Sequence, residues 1–270
     1  MTAFAVGVAL LLASLIPLLR LPNVPVRSAT TALADWRLIA DAWQNRSMRF
    51  LLIHNWWLAF SNGLTQAAFF SFLFGPLGIK LGTFYVLYGV MRIVKIPVSW
   101  FAGGMCDRFG NKAALFWGVL IASSAMLFWL AATPEQWWWI FGAFFLWGAF
   151  AAVNIAGRNL TLKLSPRSDN SAQLALFRQV GGLLAGLSGL LGGVCLDRLL
   201  QSKPPAASPF LLELGAYRFE GYQLLFLISL VGRVTSAFWI LPIQEPGAKN
   251  ISRILKVLRR HRQIRRNSNL

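Results

Sequence analysis

The chain has 270 residues, of which 56% are hydrophobic and 14% are aromatic, and it carries a formal net charge of +17. Its mean hydropathy of +0.56 predicts an integral, multi-pass membrane protein and excludes an ordinary soluble domain. The basic residues lie in short loops between apolar runs and in the tail, which indicates membrane topology and no groove for nucleic acid.

The first element is the apolar run at residues 1–19, which is short for a bilayer, so a signal peptide is the alternative. Its first positive charge, Arg20, comes after the run, and this favours a membrane helix with its N-terminus outside. Residues 20–49 are predicted to form a cytoplasmic linker that contains an interfacial helix. A disordered linker is the alternative there.

Six further apolar runs follow, each near the length that a bilayer requires. They occupy residues 50–74, 82–106, 113–132, 137–157, 174–197 and 222–243. When the loops are assigned alternately to the two sides, Lys and Arg concentrate on the inner side, as the positive-inside rule requires. The predicted fold is therefore an all-helical membrane protein of about seven transmembrane helices, in a plasma or inner membrane, with the C-terminus in the cytoplasm.

Residues 50–243 are predicted to form one six-helix unit, and residues 244–270 a basic cytoplasmic tail. Between Ile251 and Arg266, apolar and basic side chains separate onto different faces of a helix. Such a helix is expected to lie on the anionic lipids of the inner leaflet, so membrane lipids are predicted partners.

The most informative short motif is the polar hinge GGMCDRFGNK at residues 103–112, between two apolar runs. Gly103 is expected to let backbones approach closely, and Gly110 belongs to the same turn. Asp107 is expected near the positive N-terminal end of the following helix, while Arg108 and Lys112 lie at the inner headgroups. The alternative is an ordinary short inner loop, in which glycine permits the turn and basic residues orient the chain.

The hinge has an echo 90 residues further on, where residues 192–198 read GGVCLDR. This copy is one residue longer and is assigned to the outer side of the membrane. Two three-helix units of opposite orientation are the inverted repeats from which many secondary transporters are built. The echo therefore predicts a six-helix bundle made of two inverted three-helix repeats.

The hinge spacing G-x-x-x-D-R-x-G-x-K and the topology resemble the major facilitator superfamily of secondary transporters. The resemblance implies that residues 50–243 correspond to a C-terminal six-helix half, and residues 1–19 to the last helix of an N-terminal half. It also implies that the Asp107 hinge is a conformational latch. Because the family normally has twelve helices, the chain is expected to be part of a longer reading frame or a half-transporter that needs a second half or a homo-oligomer.

Three cations lie near the middle of predicted membrane helices, namely Arg92, Lys95 and Arg233. Each costs at least ~2.5 kcal/mol at the bilayer centre unless it faces an aqueous cavity or finds a partner. The functional interpretation is a binding site for an anionic substrate. The alternative is structural pairing with backbone carbonyls or with acids on the missing half.

Two amides, Asn62 and Gln66, share a face of the first helix of the six-helix unit at positions i and i+4. They are candidates for polar contacts to a substrate, and the alternative is hydrogen bonding between helices.

The leading function is secondary transport of a small solute by alternating access, which the anion-site interpretation would make anionic. The alternative is a non-transporting accessory or scaffold protein on a transporter-like fold, with which the abundant Trp and Phe are compatible. An enzyme is disfavoured, because no acid, nucleophile and metal ligands converge in the sequence. No cofactor, metal or nucleic acid is expected.

Overall fold

The computed structural model describes residues 40, 42–166, 170–201, 213–214, 217–218 and 221–247. The predicted helix at 1–19, most of the linker at 20–49 and all but the start of the tail at 244–270 lie outside the described residues. Residues 37–270 group into one unit, and everything below concerns the described residues within it.

The described part of the chain is almost entirely helical. Its helices are α1 Arg46–Leu64, α2 Gln66–Phe74, α3 Leu81–Phe109, α4 Asn111–Ala131, α5 Trp139–Trp147, α6 Phe150–Leu164, α7 Ser171–Ala175, α8 Gly181–Gln201 and α9 Gly221–Ser236. A π-helical turn, Leu176–Val180, joins α7 to α8, and a 3-10 turn, Ala237–Ile240, extends α9. Two antiparallel strands of two residues each, β1 Glu213–Leu214 and β2 Tyr217–Arg218, precede α9.

Five helical segments in this part are long and apolar enough to cross a membrane, by length and composition. They are residues 81–109, 111–131, 139–164, 173–201 and 221–240. The structure thus confirms the coarse prediction of an all-helical protein with several membrane-length helices. The remaining predicted run, 50–74, is also helical, but it is divided at Thr65 into α1 and α2, and neither piece is among the five.

Two of the long segments leave most of their apolar surface exposed. In the apolar stretch of 18 residues within each segment, only 11% of the residues are buried for the segment at 81–109 and 22% for the one at 173–201. Trp100 on α3 is 85% exposed and Leu190 on α8 is 71% exposed. Exposing such apolar surfaces to water costs free energy, whereas contact with lipid chains does not, so these helices are suited to a membrane.

A polar seam joins α1 to α9 inside the bundle. Ser229 Oγ donates to Ser61 O at 2.7 Å, and His54 Nδ1 donates to Ser236 O at 2.8 Å. His54 is buried, and the bond requires its proton to be on Nδ1. The seam fixes the rotation of α9 about its axis, and this rotation decides which side chains of α9 face the interior.

Helix α8 approaches α1 closely through glycine. A Cβ atom at Gly192 would overlap the backbone carbonyl of Leu64, and one at Gly63 would overlap the carbonyl of Ala185. On the same helix, Gly182 and Gly186 have no described neighbour within 4 Å of such an atom. Within the described residues, only some of the glycines of α8 therefore contact another helix.

Candidate functional site

A central cavity of about 400 Å³ opens between the first six helices and α9. Four of the five residues that the sequence suggests for a substrate site line it, namely Asn62, Gln66, Lys95 and Arg233. They come from four helices, the consecutive α1, α2 and α3 and the distant α9. Arg92 is not among the lining residues, although Tyr88, which it contacts, is.

Arg233 is the most constrained of these cations. Arg233 is only 2% exposed. Its Nε donates to Ser229 Oγ at 3.0 Å, and its Nη2 donates to Thr65 Oγ1 at 3.2 Å. The guanidinium lies 5.7 Å from the centre of the Phe69 ring, and Nη1 is buried without a hydrogen-bond partner among the described residues. No described carboxylate pairs with it. A buried cation that lacks a counterion and has an unpartnered donor in a cavity-lining residue can bind an anion.

Arg233 is held in place by the break at Thr65 that divides the predicted run 50–74. Thr65, which separates α1 from α2, is fully buried, and its hydroxyl donates to Asn62 O at 3.2 Å while it accepts from Arg233. The same turn brings Asn62 and Gln66 to the cavity wall, as their spacing predicted. Discontinuous helices commonly frame the substrate sites of secondary transporters.

Lys95 and Arg92 separate, although they are one turn apart on α3. Lys95 lines the cavity, and its ammonium has no hydrogen-bond or ion-pair partner among the described residues. Arg92 is exposed, its Nη2 donates to the hydroxyl of Tyr88, and its guanidinium lies 4.9 Å from the centre of that ring. The expectation that both cations line one cavity is thus met by Lys95 and not by Arg92.

The cavity wall also contains aromatic residues that the hydropathy pattern did not distinguish from ordinary apolar ones. Phe69 lies 4.5 Å from Trp129 and 5.0 Å from Trp147 between ring centres, and the two Trp rings are 5.5 Å apart. The indole Nε1 atoms of Trp129 and Trp147 are buried and have no partner in the described part. Both residues line the candidate site, although the two Nε1 atoms themselves have almost no accessible surface.

A second cavity of about 350 Å³ shares Asn154 with the central one. Arg158 and Arg178 line it, together with His54. Arg178 lies in the π-helical turn. That turn is held by α1, because Asn55 Nδ2 donates to Phe177 O at 2.6 Å.

At the end of the bundle that carries the hinge, the start of α4 binds a carboxylate from the far end of the chain. Glu245 Oε2 accepts from the backbone N–H of Lys112 at 2.8 Å, and Oε1 accepts from the Asn111 side chain at 2.7 Å. Lys163 at the end of α6 forms an ion pair with the same carboxylate at 2.8 Å. Gly110 turns the chain into α4 with φ 92°, a conformation that residues with a Cβ rarely adopt.

Lys112 completes the cluster from the other direction. Its Nζ donates to the carbonyls of Leu241 at 2.5 Å and Ile243 at 2.8 Å, at the end of the last helical segment. A cation at these carbonyls complements the negative end of a helix. Burial would raise the pKa of the Glu245 carboxyl, but its bonds from Lys163, Lys112 and Asn111 outweigh this and lower the pKa below its usual range.

The close backbone approach expected at Gly103 is not seen, and Asp107, although it lies near the start of α4, is not the carboxylate that is hydrogen-bonded there. The carboxylate at the start of α4 is Glu245, whereas Asp107 is exposed and makes no hydrogen bond or ion pair with any described residue. A Cβ at Gly103 or Gly104 would meet no described atom within 4 Å, so no close backbone approach is seen there. Arg108 is likewise exposed, and of the hinge motif Gly110, Asn111 and Lys112 contribute to the cluster.

We expect Glu245→Gln to lower the thermal midpoint of the detergent-solubilised protein, because hydrogen bonds to a charged group are worth about 1.5–3 kcal/mol each. The folded-state pKa is lowered, so the ionised carboxylate stabilises the protein above the unfolded pKa of about 4.3. This stabilisation is lost as the pH falls through the lower folded value. The difference between wild type and variant should therefore shrink below about pH 4.

Asp107→Asn is the matched control, since it removes one carboxylate at the same end of the bundle. We expect it to leave the midpoint almost unchanged. If Asp107→Asn destabilises the protein as much as Glu245→Gln does, the carboxylate that holds this end has been misassigned.

No protein-family model matches the chain, and no curated protein matches it significantly. The function is therefore argued from the cavity and its residues.

Proposed function

We propose that the chain is a secondary membrane transporter that moves a small anionic solute by alternating access. The observation that carries the proposal is Arg233, which is buried in a cavity wall with one donor free and no described carboxylate beside it. Keeping such a cation buried is costly in free energy, and an anionic ligand offsets that cost when it binds.

Lys95 supports the same proposal from the other side of the cavity. It lies on α3 whereas Arg233 lies on α9, so an anion between them would be held by two helices that belong to different three-helix groups of the predicted repeat. A ligand that bridges two groups binds best in the arrangement that brings both cations to it. Such differential binding is what couples a solute to a conformational change.

The topology that we propose is the one predicted from the sequence: about seven membrane helices, an external N-terminus, and a six-helix unit like the C-terminal half of a major facilitator transporter. The cluster around Glu245 then lies on the cytoplasmic side and ties the start of α4 to the end of the last helical segment. It would have to loosen when the inner side opens. That would make Glu245 and Lys112 the latch residues.

The test is solute flux in liposomes that contain the full chain. We expect saturable uptake of at least one member of a panel of acetate, phosphate, succinate and benzoate, and no uptake of choline. Empty liposomes and liposomes with Arg233→Gln serve as controls. Failure of every anion to enter faster than in the controls would overturn the proposal and favour the non-transporting accessory protein.

A further inference from the structure

The inference concerns the chemical class of the solute, and it therefore rests on the proposed function. The central cavity has unpartnered polar atoms and an aromatic wall, and few small anions complement both. Among its described lining residues, three buried side-chain donors and one acceptor, Asn62 Oδ1, have no hydrogen-bond partner. Aromatic rings form much of the rest of the wall. Each property constrains a different part of the ligand.

The donors define the charged end. Arg233 Nη1, Trp129 Nε1 and Trp147 Nε1 are buried and unpartnered within the described residues, and all three residues line the same cavity. A buried donor that lacks an acceptor costs free energy, so three of them in one cavity point to a ligand rich in acceptors. A carboxylate offers about four lone-pair sites on two oxygens and no donor.

The rings define the rest of the ligand. Phe69, Trp129 and Trp147 contact one another, and Phe144 lies 5.2 Å from Trp147 between ring centres. Another ring that packs on these side chains in an offset-stacked or edge-to-face arrangement gains free energy beyond that from the burial of apolar area. Phosphate or acetate would satisfy the donors but leave the aromatic wall in contact with water.

The size of the cavity is consistent with a ligand of one ring and one acidic group. A volume of about 400 Å³ lies at the lower end of the range for sites that bind small organic molecules. Arg233 itself lies near the face of Phe69, so an acid bound to its free Nη1 lies next to the aromatic cluster.

We propose that the solute is an aromatic carboxylate, with its carboxylate on Arg233 and the two indole N–H groups and its ring against the Phe and Trp side chains of the cavity wall. Lys95 supplies long-range attraction from α3 to the same negative charge. The neutral amide of the same shape lacks that charge and has one acceptor oxygen fewer, and Asn62 Oδ1 is the one unpartnered acceptor that the described wall offers to its N–H groups.

The experiment measures binding of benzoate, cyclohexanecarboxylate, phosphate and benzamide to the full chain in detergent, by calorimetry and by tryptophan fluorescence. We expect benzoate to bind at least tenfold more tightly than each of the other three. Trp147→Phe keeps a ring and removes one donor, and it should weaken benzoate about tenfold, as should Trp129→Phe. Trp100→Phe, at a residue that is 85% exposed and outside the cavity, is the matched control.

The outcomes separate this inference from the proposed function. If phosphate or cyclohexanecarboxylate binds as tightly as benzoate and Arg233→Gln abolishes that binding, the aromatic class is wrong and anion transport stands. If none of the three anions binds and no panel anion enters liposomes, the proposed function fails and this inference with it. Unchanged benzoate affinity in both folded Trp variants would also overturn the inference.

Discussion

Arg233→Gln is expected to weaken the binding of benzoate and of phosphate to the cavity at least thirtyfold, and to reduce anion uptake to the level of empty liposomes. Truncating one partner of a buried charged pair costs about 2–5 kcal/mol in affinity. Because Arg233 is 2% exposed, water cannot replace the lost charge. Arg233 is therefore the residue whose replacement should affect function most.

The same change should cost little stability, and this separates a ligand site from a structural one. The hydroxyls that accept from Arg233 keep their own bonds, since Ser229 donates to Ser61 O and Thr65 donates to Asn62 O. Removing an uncompensated buried charge is often neutral or stabilising. If the cation instead pairs with an acid elsewhere, Arg233→Gln should reduce the yield of folded protein while the folded fraction keeps normal affinity.

Lys95→Gln and Arg92→Gln complete the series in the same assay. Lys95 lines the cavity and should produce an intermediate loss of affinity. Arg92 does not line the cavity and reaches its wall only through a contact with Tyr88, so its replacement should have the smallest effect of the three. A larger loss for Arg92 than for Arg233 would contradict the assignment of the cavity as the anion site.

Sequence reasoning located the elements well, because hydropathy and length alone determine where membrane helices lie. The predicted run 82–106 corresponds to α3 at Leu81–Phe109, and the run 113–132 to α4 at Asn111–Ala131. Where it failed, the cause was local geometry. The dipeptide Asn62-Gly63 is a turn signal in the run 50–74, but it does not by itself locate the break at Thr65. The hydroxyl of Thr65 accepts from a residue 168 positions away, and that contact cannot be predicted from the run alone.

The candidate site was predictable where an unusual residue is itself the signal. A cation in an apolar run is such a signal, and Lys95 and Arg233 do line one cavity. Positions i and i+3 differ by about 60° around a helix, so the outward turn of Arg92 needs the packing of α3 to be known. Trp129 and Trp147 carried no signal, because a Trp on a membrane helix is expected whether or not its N–H has a partner.

Glu245 was missed for a related reason. It lies in the segment predicted as a tail, and its partner Asn111 is 134 positions earlier in the chain. Asp107 was chosen because it is near the start of α4 in sequence. A helix N-terminus attracts any anion that folding brings to it, and the nearest acid along the chain need not be the one that arrives.

Gly192→Ala is expected to be the most destabilising small substitution in the described bundle. The added Cβ would overlap the backbone carbonyl of Leu64, and backbone, unlike a side-chain end, has no other rotamer in which to avoid the contact. Overpacking of a tight contact costs about 1–3 kcal/mol, and separating α8 from α1 would add the loss of packing along both helices. The midpoint of thermal unfolding in detergent and the monodisperse yield measure the effect.

Gly186→Ala is the matched control, because it makes the same chemical change on the same helix. No described atom lies within 4 Å of a Cβ at Gly186, and alanine is the better helix former, so its midpoint should equal or exceed that of the wild type. Equal stability of the two variants would show that α8 does not pack on α1 through Gly192. Destabilisation by Gly186→Ala alone would mean that the opposite face of α8 contacts another part of the protein or a partner.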